Sequence, residues 1–112
     1  MDYKHLDSSI SVSPQISAAD IPSIQAAGFK SIVCNRPDEE EAGQPTYASV
    51  EAAAIAAGLP ILNIPVISGR ITRQNMIDMK RAMDELPKPV FAYCRSGARC
   101  ANLYAMLDDL DD

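Results

Sequence analysis

Val90-Phe91-Ala92-Tyr93-Cys94-Arg95-Ser96-Gly97-Ala98-Arg99-Cys100 decides how the rest of the chain is read. Val90 to Tyr93 are apolar and β-favouring, so they predict an interior strand that delivers Cys94 to a short loop. That loop holds one glycine and two arginines, and helix-compatible sequence begins directly after it. Inward-pointing loop N–H groups and the exposed N–H groups of a helix start together form a nest for negative charge, which stabilises a thiolate relative to its thiol. Arg95 and Arg99 add to that field, and a guanidinium fork holds an oxyanion in two hydrogen bonds at once. A cysteine that merely closes a buried strand is the competing reading, since free cysteine is usually buried. Strand, Cys, Gly, Arg and helix in this order select the anion-binding one.

Outward from this loop, the chain alternates strand and helix. Ser9 to Ser13 alternates polar and apolar residues and predicts a short strand ending at Pro14, a placement that suits a sheet edge. The next segment predicts a helix, capped by Ser17 or Asp20 and stopped at Gly28; Pro22 favours Asp20, because it then falls in the first turn. Ile21, Ile24 and Ala27 are its expected core face. Lys30 to Asn35 predicts a second strand, and Tyr47 to Ala57 an alanine-rich helix ending at Gly58. Pro60 to Val66 predicts a third strand. A helix capped by Thr72 then runs to Leu86, its Met76, Met79 and Met83 stripe read as core packing. After the fourth strand and the cysteine loop, the last helix runs from Arg99 to Leu107. The fold class is therefore α/β, a three-layer α/β/α arrangement with a four-stranded, mainly parallel sheet. Residues 1–107 form one domain in this reading, and 108–112 an acidic tail or linker start.

Composition bounds the function. The chain has 112 residues, 47% hydrophobic and 22% charged, enough for a single core without metal or disulfide support. A net charge of −5 argues against nucleic acid or an acidic membrane as the main partner. No stretch approaches the roughly 20 apolar residues of a membrane span. The start, Met1 to His5, does not resemble a signal peptide. Cys34, Cys94 and Cys100 make neither a disulfide framework nor a zinc pattern, and His5 is the only histidine. A reducing cytoplasm is the expected setting, with no metal and no cofactor. The polar stretch Arg36 to Pro45 leaves the second strand at the end where α/β proteins place their sites. Within it Arg36 and Asp38 are flanking site candidates, and Glu39, Glu40 and Glu41 read as a solvated acidic run.

Cys94-Arg95-Ser96-Gly97-Ala98-Arg99 resembles the six-residue active loop of rhodanese sulfurtransferases. Cysteine-dependent phosphatases carry five residues between Cys and Arg; this chain has four, with Cys100 where their arginine would stand. The frame, with the nucleophile after the last strand, resembles the dual-specificity phosphatase fold instead. Departures from that family are Tyr93, where a histidine usually precedes the cysteine, and Ile67-Ser68-Gly69-Arg70, which lacks the general-acid aspartate. From about Ser11 to Leu107 the chain is similar to the small β-lactamase hydrolase-like sulfurtransferase domains, phosphatase-like in fold and rhodanese-like in loop. Ser11 to Gln15, Ala27-Gly28-Phe29, Asn35 to Asp38, Gln44-Pro45, Ile64-Pro65-Val66 and Tyr93 to Arg99 carry the similarity. It implies sulfide and persulfide handling beside a persulfide dioxygenase or a sulfide oxidoreductase.

The expected function is a sulfurtransferase. Cys94 is the nucleophile, carrying sulfane sulfur from a small anionic donor as a persulfide; Arg99 is catalytic with it. Arg95, Ser96, Gly97, Ala98 and Arg99 bind the anion. The alternatives are a phosphatase acting on a phosphate ester, with Cys94 as nucleophile and Asp38 as acid, and a non-catalytic docking module for a sulfide-oxidising enzyme. Cys100 is read as a helix-packing cysteine, with a resolving thiol for Cys94 as its alternative; Cys34 is read as core.

Overall fold

The computed structural model describes residues 1–110. Its elements in chain order are β1 (Lys4–His5), β2 (Ile10–Ser13), a 3-10 turn (Ala18–Asp20), α1 (Ile21–Ala26), β3 (Ser31–Cys34) and α2 (Tyr47–Ala56). They continue with β4 (Ile61–Asn63), α3 (Arg73–Glu85), β5 (Val90–Tyr93), α4 (Ala98–Met106) and a final 3-10 turn (Leu107–Asp109). The sheet order is β1-β2-β5-β3-β4, parallel throughout except where β1 pairs antiparallel with β2.

β5 lies at the centre, and its pleat builds both cores. Val90, Ala92 and Cys94 face a core shared with Met79, Met83 and Leu103, which come from α3 and α4. Phe91 and Tyr93 face the opposite core, with Ile21, Ile24, Val50 and Ala54 from α1 and α2. A strand buried on both faces must be apolar at every position, which is how Val90 to Tyr93 reads. The register then aligns the strand ends: Ser13 of β2 and Cys34 of β3 both stand beside Tyr93. Every loop leaving those three strands therefore starts from one row.

Several details differ from expectation. The sheet has five strands rather than four. The extra one, β1, is two residues long and carries no hydrophobic pattern; it is held by the Ser11 Oγ to His5 Nδ1 hydrogen bond at 2.6 Å and by Tyr3 packed edge-on against Phe29 and Phe91. β2 is consequently interior, not an edge, and Pro14 is accommodated because the strand has already ended. β4 covers only Ile61–Asn63, although Ile64 and Val66 still donate their N–H groups to Cys34 and Asn35 carbonyls. Asp20 is the N-cap residue of α1, with Pro22 in its first turn as expected, while Ser17 caps the preceding 3-10 turn, where the Asp20 carboxylate accepts the Ser17 N–H at 2.9 Å in a capping box. Ala27 is exposed. The segment read as an acidic tail begins inside the final turn, and 111–112 lie outside the described residues. No helix among the described residues is long and apolar enough to cross a membrane.

Leu103 is fully buried between α4 and the sheet, whereas Ile55 on α2 is 65% exposed. Leu103→Ala is expected to cost about 2–5 kcal/mol in chemical denaturation and Ile55→Ala less than about 0.5 kcal/mol. Equal costs would contradict this assignment of the core.

Candidate active site

Cys94 begins the loop beyond β5, and its N–H is held by the Ser13 carbonyl at 3.2 Å. The loop closes on Gly97, which caps α4 at φ +95°, a left-handed conformation that glycine adopts without strain. This turn aims the start of α4 at the sulfur. The Gly97 N–H donates to Cys94 Sγ at 3.1 Å, and the N–H groups of Ser96 and Cys100 add to the stabilisation of its negative charge. The side chain is fully buried. Its pKa nevertheless falls to about 5, first because the Cys100 thiol hydrogen-bonds to it, then against the opposing cost of burial, and further through those three N–H groups. Cys94 is thus a thiolate at neutral pH. Cys100 is pushed the other way, well above an ordinary thiol, by burial and by the negative sulfur it serves. It packs the core as expected, and beyond that expectation it also stabilises the thiolate.

Two guanidinium groups near this loop are buried. Arg36, 2% exposed, leaves the end of β3; Arg99, 9% exposed, sits in the first turn of α4. Glu40 joins them. Its Oε1 accepts from Arg36 Nε at 2.9 Å and from Arg99 Nη2 at 2.7 Å, and its Oε2 accepts from Arg99 Nη1 at 2.8 Å. Arg36 is further bound by Glu41 at 2.9 Å and by Gln15 Oε1 at 3.0 Å. Arg99 Nη1 also donates to the Val66 carbonyl at 2.8 Å. Three of the five guanidinium N–H groups of Arg99 are so engaged; Nε–H and one Nη2–H, the side edge of the fork, have no protein partner among the described residues. That edge is the part of Arg99 left for an anion. The Glu40 carboxyl is held down at about 2, by the Arg99 hydrogen bonds first and by Arg36 after them, so it stays ionised.

A cavity of about 370 Å³ opens over this arrangement, lined by Glu40, Ser68, Arg95, Ser96, Ala98 and Arg99. A second, of about 600 Å³, adjoins it along α4 and is lined in part by Ile71, Asn102 and Met106. Of the expected residues, Arg95, Ser96, Ala98 and Arg99 come together at the first cavity, whereas Cys94 and Gly97 are buried and do not line it. Arg95 is exposed, 3.9 Å from Glu41. Arg36 is an internal brace and does not line the cavity. Asp38 is exposed and its Oδ1 accepts the Tyr47 N–H at 2.8 Å, so it fastens the start of α2 instead of facing the cavity. Tyr93 points into the opposite core, as strand alternation requires.

The carboxylates that matter are Glu40 and Glu41, which the sequence presents as part of a solvated acidic run. Their roles depend on how the loop folds back. Gln44 fixes that path, accepting the Glu40 N–H at 3.0 Å and donating to the Pro37 carbonyl at 2.9 Å, while Asn35 donates to the Ile64 carbonyl. The only local signal is the presence of Gln15, Asn35, Arg36 and Gln44 in the short stretches that carry the family resemblance. No three His, Cys, Asp or Glu side chains converge on a metal position among the described residues.

Burial raises Cys34, and Cys100 lies well above an ordinary thiol, so one cysteine alone ionises in the acid range. Thiolate ultraviolet absorbance is expected to titrate one sulfur per chain with a midpoint near pH 5. Cys100→Ala should move that midpoint upward. An unchanged midpoint in the variant would show that the Cys100 hydrogen bond is not the main cause.

Residues 2–110 match the family described as beta-lactamase hydrolase-like protein, phosphatase-like domain. A beta-lactamase hydrolase-like protein of Agrobacterium fabrum is 40% identical over 99% of this chain, and the chain spans 26% of that protein. A candidate phosphatase from Neisseria meningitidis has a solved structure with TM-score 0.84 and 35% identity, covering 91% of this chain and 72% of its own. A P. aeruginosa protein in complex with phosphotyrosine shares the fold at TM-score 0.65 and 16% identity, covering 98% of this chain and 65% of its own. The cysteine loop after the central strand, the arginine on the helix behind it and these matches along nearly the whole length agree: the chain belongs to the phosphatase-like domain family of the beta-lactamase hydrolase-like proteins.

Proposed function

We propose that this domain is a sulfurtransferase in which Cys94 takes up a sulfane sulfur. The thiolate attacks the outer sulfur of a small persulfide, R–S–SH; the new bond gives Cys94–S–SH, and the old sulfur–sulfur bond releases RS⁻. Thiosulfate reacts in the same way and releases sulfite. The side edge of Arg99 holds the anionic donor, Arg95 draws it to the cavity, and the N–H groups of Ser96, Gly97 and Cys100 stabilise the charge on the Cys94 sulfur.

The observation that carries this reading is the lack of a proton donor among the carboxyls described around the cavity. Glu40 is held ionised by two arginines, Asp38 is fastened to α2, and Ser68 stands in the loop where a phosphatase would carry its acid. An alkoxide leaving group needs such an acid, whereas a thiolate or sulfite leaves without one. The short loop supports the same conclusion, since four residues between Cys94 and Arg99 offer fewer N–H groups to a tetrahedral dianion.

Phosphate-ester hydrolysis is the second reading. It is favoured by the relative solved as a candidate phosphatase and by the phosphotyrosine bound to a protein of the same fold. A docking module with an ordinary cysteine is disfavoured by the depressed Cys94 pKa.

Turnover with a persulfide or thiosulfate donor is expected to fall roughly 10³-fold or more in Cys94→Ser. Asp38→Asn should stay within about twofold of the parent in the same assay, since only an acid–base role would cost about 10²-fold or more. Aryl phosphate hydrolysis that depends on both Cys94 and Asp38, with no sulfur transfer, would replace this reading by the second.

A further inference from the structure

We infer that Cys100 is a resolving thiol: once Cys94 carries a persulfide, Cys100 attacks Cys94 Sγ and discharges the extra sulfur as hydrogen sulfide, leaving a Cys94–Cys100 disulfide. This rests on the sulfur-transfer reading above. The step balances without an outside oxidant. The Cys94–sulfane bond breaks, the Sγ–Sγ bond forms, and the Cys100 proton leaves with the departing hydrosulfide. The sulfane sulfur is reduced to sulfide, and the two cysteines together give up two electrons. A dithiol reductant then restores both thiols by exchange.

The geometry supplies the encounter. The Gly97 N–H that opens α4 lies 3.1 Å from Cys94 Sγ, Cys100 stands in the first turn of that helix, and both cysteine side chains are fully buried in one core cluster. Cys100 is fully buried, so it is shielded from bulk thiols. Two groups held in contact react as if at very high concentration, which favours this exchange over attack by a dilute external thiol.

The arrangement also explains why Cys100 is inert until it is needed. In the resting site the negative Cys94 sulfur and burial keep its proton in place. Once Sγ bears a second sulfur, it no longer carries the charge that held this proton. Cys100 itself belongs to the first turn of α4, the helix start that previously served Cys94. Loading the nucleophile is therefore what frees the resolving group. Cys34 is a poorer candidate: it faces the opposite core, and its thiol donates to the Arg36 carbonyl at 3.3 Å.

The test loads the protein with glutathione persulfide, removes the donor, and monitors released sulfide and intact mass. Wild type is expected to release one sulfide per chain and to finish two hydrogens lighter than the reduced protein, with peptides containing Cys94 and Cys100 cross-linked. Cys100→Ser and Cys100→Ala should retain the added sulfur and release sulfide roughly tenfold more slowly or worse. Retention of the added sulfur by wild type for as long as the variants, with no cross-link, overturns the inference and leaves the sulfur-transfer reading standing. If no form gains sulfur from the donor, that reading fails and the inference falls with it. Should the variants not fold, the presence or absence of the cross-link in wild type decides.

Discussion

Two buried guanidinium groups at the carboxyl ends of the strands have to be neutralised, and one carboxylate does most of it. An unpaired charge inside a protein is costly, and a pair survives there only when its geometry is good and its remaining donors are satisfied. Glu40 meets both conditions by gripping the end of Arg99 while accepting from Arg36. Through it the loop after β3, the stretch after β4 and the first turn of α4 are tied together, because Arg99 also binds the Val66 carbonyl and Arg36 binds Gln15. The result is a guanidinium fixed in place whose Nε–H and one Nη2–H have no protein partner among the described residues.

The thiolate is the second half of the same construction. A fully buried sulfur should resist ionising, and Cys94 ionises because fixed donors surround it: one thiol and three backbone N–H groups at the start of α4. Those donors are aimed by Gly97, whose left-handed backbone lets the helix begin soon after the strand. The Arg99 guanidinium and the N–H dipoles of the helix start are therefore brought together at one small cavity. Such convergence suits a reaction in which negative charge moves from an attacking sulfur to a leaving group.

Much of this is legible in the sequence. The unbroken apolar run Val90 to Tyr93 suits only a strand covered on both faces, and Cys94 to Gly97 after it suits a loop opening a helix. The alternation of short strands and helices implies the layered fold, and the Met76, Met79, Met83 stripe does pack against the core. β1 is not legible, because two residues paired through a histidine and an aromatic contact leave no periodic trace. Glu40 is hidden for a different reason. Three adjacent glutamates look alike in a sequence, and which of them turns inward depends on how Gln44 folds the loop back across space. Asp38 competes with Glu40 for the functional role because sequence position cannot separate a side chain that fastens a helix start from one that faces a cavity. The burial of Cys100 is readable from its residue type and its place in α4, but burial alone does not show that its thiol reaches Cys94.

The central claim is that the Cys94 sulfur itself accepts sulfane sulfur. The most direct measurement is peptide mapping of the Cys100→Ser protein after brief exposure to a donor whose outer sulfur is isotopically labelled. Label confined to the peptide that carries Cys94, and removed by cyanide, is the predicted result. An unlabelled Cys94 in a folded protein whose loop still binds a phosphate analogue would contradict it.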